Sequence, residues 1–102
     1  MLSRLDLQTE LENVLGNRNV YFQPPSSVKL QYPAIVYSRK DIVVNYANDR
    51  NYIQSPCYEI ILIDKDPDSV FIEKLLALPY CSFDRHYEAD NLNHDVFTIY
   101  QH

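Results

Sequence analysis

The stretch Cys57-Tyr58-Glu59-Ile60-Ile61-Leu62-Ile63-Asp64, followed at once by Lys65-Asp66-Pro67-Asp68-Ser69, decides the fold. Its first part is long, apolar and β-branched, bounded by Pro56 on one side and an acidic turn on the other, which is the pattern of a strand buried on both faces. It is the strongest strand signal in the chain and belongs at the centre of a sheet. In the second part Asp66 is a candidate helix cap, Pro67 suits a first helical position and Asp68 complements the positive end of a helix. A helix is therefore expected to start here, with Val70, Phe71, Ile72, Leu75, Leu76 and Leu78 as a broad apolar face, Lys74 on its wetter side and Pro79 as its stop.

Working outward, Ala34-Ile35-Val36-Tyr37-Ser38 reads as a second buried strand, reached through Tyr32-Pro33. Asp41 to Ala47 reads as a further, separate strand leading into the polar turn Asn48-Asp49-Arg50-Asn51. Val20-Tyr21-Phe22-Gln23 is a short strand ended by Pro24-Pro25, which lack backbone donors. Near the start, Leu7, Leu11, Val14 and Leu15 share one helical face, with Ser3 as cap and Gly16 as left-handed stop. Near the end, Cys81, Phe83, Arg85 and Tyr87 alternate in one strand and Asp95, Phe97 and Ile99 in another, joined by residues 88–93. The expected order is α-β-β-β-β-α-β-β: one α+β domain over residues 1–102, with a mainly antiparallel sheet covered by two helices.

Composition narrows the chemistry. With 102 residues, 46% apolar and 23% charged, the chain is globular and buries roughly 65% of its unfolded surface. The single glycine, Gly16, excludes phosphate-cradling and dinucleotide-binding loops, which need several, and no cofactor is expected. Cys57 and Cys81 lack paired C-x-x-C spacing and read as reduced packing residues. No apolar run reaches the roughly 18–20 residues that span a bilayer, and Asp6 and Glu10 interrupt any leader, so the expectation is a cytosolic protein without membrane contact.

Residues 1–51 carry six Lys/Arg against five Asp/Glu, a net +1, while residues 52–102 carry three against nine, a net −6, making −5 in all. The acidic half disfavours binding to nucleic acid, whereas opposed halves favour head-to-tail association of copies.

One grouping has the residue types of a catalytic or metal site: Asp84, His86, Glu88, Asp90, His94 and Asp95. Such groups act only if they converge on one point. With Phe83 facing the core, Asp84 and His86 face out as solvated neighbours, and Asp95 is placed to pair with Arg85 across the strands. The favoured reading is an exposed acidic hairpin, and the enzymatic alternative is a small metal-dependent hydrolase built on His86 and His94. Ser26-Ser27 has no accompanying histidine or glycine elbow. The nine tyrosines lack the basic companions of a base-stacking surface, and fit a sheet and a protein interface better, with Tyr21, Tyr46 and Tyr52 flanking the least regular segments.

Three stretches carry a resemblance: NVYFQPPSSVKLQYPAIVYS at 19–38, NYANDRNYIQSPCYEIILIDKDPDS at 45–69 and LPYCSFDRHYEADNLNHDVFTIY at 78–100. Together they resemble the tail terminator proteins of long-tailed bacteriophages, also called tail completion or head–tail joining proteins. The resemblance implies a structural subunit without catalysis, forming a ring of six on the end of the tail tube and presenting a docking face to the head connector. Its expected partners are copies of itself, the tail tube protein and the connector, with DNA sliding through unbound. A neighbouring neck component of the virion, or a monomeric adaptor to a host protein, are the other readings.

Within that reading Asp41 to Ser55 is expected to protrude and make tube or subunit contacts, because it is polar, aromatic-bearing and weakly patterned. Arg39, Lys40 and Arg50 are the candidate positive partners, and Asp64, Asp66 and Asp68 the negative ones.

Overall fold

The central strand is where the sequence places it. A computed structural model describes residues 4–47 and 51–100, and side chains at 4–40 and 56–100. The elements are α1 (Arg4–Leu15), β1 (Val20–Phe22), β2 (Ala34–Ala47), β3 (Asn51–Asp64), α2 (Phe71–Leu76), β4 (Cys81–Ala89) and β5 (Leu92–Tyr100). They form a mixed α+β domain around one five-stranded sheet of order β1-β2-β3-β5-β4. Only the β1–β2 pair is parallel among the strand pairs described.

Two expected strands, Ala34 to Ser38 and Asp41 to Ala47, are one. The register against β3 shifts between Arg39 and Asp41, so Lys40 is accommodated as a bulge and the chain continues along the same partner. The polar Arg39-Lys40-Asp41 run bends the strand without ending it, and the order becomes α-β-β-β-α-β-β.

The second helix is shorter than expected, and Asp66 and Pro67 do not open it. The Asp64 Oδ1 accepts from the Asp66 N–H at 3.2 Å and the Asp66 Oδ1 from the Asp68 N–H at 2.9 Å, so both carboxylates are used in successive local turns. Ser69 takes the capping part instead, its Oγ accepting from the Phe71 N–H at 3.3 Å. Leu75 is buried, whereas Val70 and Leu76 are exposed and Leu78 follows the helix.

One sheet face forms the core. Leu7, Leu11 and Leu15 of α1 and Leu75 of α2 meet Val20, Ile35, Tyr37, Tyr58, Ile60, Leu62, Phe97 and Ile99. Helix α1 is also held by polar contacts: Arg4 Nη1 donates to Tyr37 Oη at 3.2 Å, the Tyr37 hydroxyl donates to Gln8 Oε1, and Gln8 Nε2 donates to the Val20 carbonyl at 3.1 Å. Gly16, at φ 77°, ends α1 as the left-handed stop, and its N–H reaches the Glu12 carbonyl. The proposed cap Ser3 lies outside the described residues.

The C-terminal hairpin turns at Asp90-Asn91 alone, both with positive φ (54° and 62°), in place of the longer connection expected at 88–93. Such a two-residue turn matches the twist of the strands it joins.

Candidate functional site

Strands β2 and β3 pair along their whole described length, to Ala47 opposite Asn51, whereas β5 accompanies β3 only between Asp64 and Cys57. Beyond that point the β2–β3 ribbon pairs, among the described residues, only with itself. It is an arm that lengthens the molecule to 50 Å against 26 and 23 Å in the other directions. The radius of gyration, 14.6 Å, exceeds the roughly 13 Å of a compact chain of this size for the same reason.

Tyr46 and Tyr52 lie opposite one another in this arm, so the topology brings these two candidates together. Arg50 lies outside the described residues, as do the side chains of Tyr46 and Tyr52. Tyr21 is half-buried in β1 beside Val36. Arg39 and Lys40 are exposed at the bulge where the arm leaves the body, and the Arg39 N–H is taken by Gln23 Oε1 at 3.3 Å. Asp64, Asp66 and Asp68 occupy the β3–α2 connection at the other end of the strands, so the two charge groups do not meet within one molecule.

The halves of the sequence divide the sheet between them. Residues before the β2–β3 turn supply α1, β1 and β2, and those after it supply β3, β5, β4 and α2; of the nine acidic residues after the turn, Asp84, Glu88, Asp90 and Asp95 lie in the β4–β5 hairpin and the rest in β3, the β3–α2 connection and α2.

The acidic hairpin differs from its expected form. A second register shift, between Phe83 and Arg85, inserts Asp84 as a bulge, so His86 and not Arg85 stands opposite Asp95. His86 Nδ1 lies 2.8 Å from Asp95 Oδ1, and Asp95 is only 4% exposed. Arg85 pairs with Asp84 at 2.8 Å and with Glu59 of β3 at 3.5 Å. His94 belongs to the opposite face, where its ring stacks on Tyr87 with centroids 4.7 Å apart. Because adjacent strand residues point to opposite faces, His86 and His94 do not converge on one ion. Among the described residues no three His, Cys, Asp or Glu side chains are grouped as metal ligands.

Phe83 does share the core face of the sheet with Phe97. It touches Phe97 edge-on at 5.6 Å yet is 48% exposed, because β4 is the sheet's outermost strand. Every β4 residue from Ser82 to Glu88 is exposed. Tyr80, Phe83 and Tyr87, all exposed, were missed as surface candidates, although the consecutive polar run Asp84-Arg85-His86 is the mark of an edge strand.

Neither Cys57 nor Cys81 is in a disulfide, and burial pushes the Cys81 thiol up to about 11. It is protonated and unreactive at neutral pH. An open groove of about 500 Å³ lies between the helices, lined by Glu10, Asn13, Val14, Lys74, Ala77 and Leu78. No helix among the described residues is long and apolar enough to cross a membrane. Neither the family models nor the curated proteins compared with the chain match it.

Proposed function

We propose that the chain is the ring-forming subunit of a phage tail terminator, capping the tail tube and joining the tail to the head connector in the virion neck after assembly in the bacterial cytoplasm. The resemblance of residues 19–38, 45–69 and 78–100 introduces this reading, and the β2–β3 arm is the structural observation that carries it. An isolated two-stranded ribbon is marginally stable in water, so an arm of this length calls for a partner surface.

The charge difference between the halves supports the same reading. A ring joins one surface of each subunit to a different surface of the next, and surfaces of unlike charge favour that register over self-contact. With leucines of both helices buried against one sheet face, we read the helices as the cover of that face, leaving the edges, the opposite face and the arm for neighbouring copies, the tube protein and the connector. A ring of six is the expected assembly. Net negative charge lets DNA slide through such a ring without sticking.

Light scattering of the purified chain, with and without tail tubes, tests the proposal. A closed ring, formed alone or on the tubes, is expected. Negative-stain images of particles lacking the protein should show tails of abnormal length or tails unjoined to heads. Normal tails joined to heads overturn the assignment.

A further inference from the structure

The sheet has two open edges, and their directions are related. From β2 to β3 to β5 to β4 each step is antiparallel, so β4 runs opposite to β2. β1 flanks β2 only at Ile35 to Tyr37, and past Arg39 no strand flanks it on that side among the described residues. At the other side of the sheet no strand among the described residues flanks the outer edge of β4.

In β4 the two-residue turn sets which groups are free. Ala89, Tyr87 and Arg85 bond back to β5, which leaves the backbone N–H and C=O of His86 and Glu88 on the open side.

We infer that β4 pairs, through Arg85 to Ala89, with the open edge of β2 from Arg39 onward in a second copy of this chain. The inference rests on the ring reading, since it names the contact that builds the ring. A rotation about an axis near the strand direction preserves strand direction, so β4 of one copy meets β2 of the next as an antiparallel pair, the stronger of the two arrangements.

Charge selects the occupant. In that antiparallel alignment the acidic end of β4, Glu88 with Asp90 in the turn, meets the basic start of the open β2 edge, Arg39 and Lys40, all four of them exposed. Exposed aromatics supply apolar area at the same edge: Phe83 and Tyr87 from β4, and Tyr80 just before it. A charged, bulged edge also discourages indiscriminate pairing, so a partner edge with the matching charges is favoured over any exposed strand.

The test is a charge swap read together with amide exchange on the full chain. Glu88→Lys alone and Lys40→Glu alone are each expected to raise the concentration for half-assembly about tenfold, and the double variant to restore it. Both sites are exposed, and circular dichroism of each variant is the check that it folds. In the unaltered protein the His86 and Glu88 amides should exchange freely in the isolated subunit and become protected on assembly. Rings that form with these amides unprotected, or a swap without rescue, overturn this contact and leave the ring reading standing. Protection within dimers or open filaments keeps the contact and overturns the ring. A chain that stays monomeric with and without tail tubes overturns both.

Discussion

Two side chains show how local surroundings set what a residue does. Burial raises Cys81 from 9.0 to about 11, so the folded protein holds the thiol proton more tightly than the unfolded chain does. Its contribution to stability is complete below about pH 9 and is lost as pH rises toward 11. Denaturant midpoints measured from pH 8 to 11 should fall across that window, less steeply in Cys81→Ala. Asp95 is buried on the core face of the sheet, and its carboxyl group is met there by His86. Removing the imidazole in His86→Ala leaves it underpaired, at about 1–3 kcal/mol in urea unfolding, and Asp95→Leu added to that variant should recover part of the loss. The residues of this pair were visible in the sequence as types. Their pairing was not, because it depends on the bulge at Asp84, which moves His86 into register with Asp95 and shifts Arg85 toward Glu59.

Elements were read well where a signal is local and repetitive. Helix α1 follows from leucines at helical spacing and ends at the one glycine, and the Cys57–Asp64 half of β3 follows from its apolar, β-branched run, whereas the half from Asn51 onward carries no such signal. Local signals misled where side chains had a second use. Asp66 and Pro67 resemble the start of a helix, but the aspartates bond to backbone within the connection, and Ser69 does the capping. Polarity at Arg39-Lys40-Asp41 resembled a break, and a bulge absorbed it because β3 continues alongside. The β4–β5 turn yields a direct test: Asn91 sits at φ 62°, a conformation glycine adopts more easily. Asn91→Gly should stabilise the domain modestly, seen as a higher melting temperature, the relief at positive φ outweighing the added freedom of the unfolded chain.

For the whole molecule, the arm and the two open edges determine how copies can meet. The accessible surface, 6682 Å², exceeds the about 6,000 Å² expected of a compact chain of this mass, in keeping with an elongated shape. Replacing residues 42–54 by Asn-Gly should leave the circular dichroism of the body intact, since the core comes from α1, α2 and strand segments outside the arm, while abolishing assembly on tail tubes. Hydrogen exchange of Asp41 to Ser55 should slow on assembly, and equal protection in free and assembled subunits would remove the arm from the interface. The sequence by itself determined the α+β class, the central strand, the first helix and the charge difference between halves, because each follows from neighbours along the chain or from composition. Only the tertiary structure decided that those halves divide the sheet between β2 and β3, that Phe83 and its strand lie at an edge, and that His86 and His94 face apart. Strand order and register arise from pairing between distant segments, and a single inserted residue in a ladder changes which side chains meet.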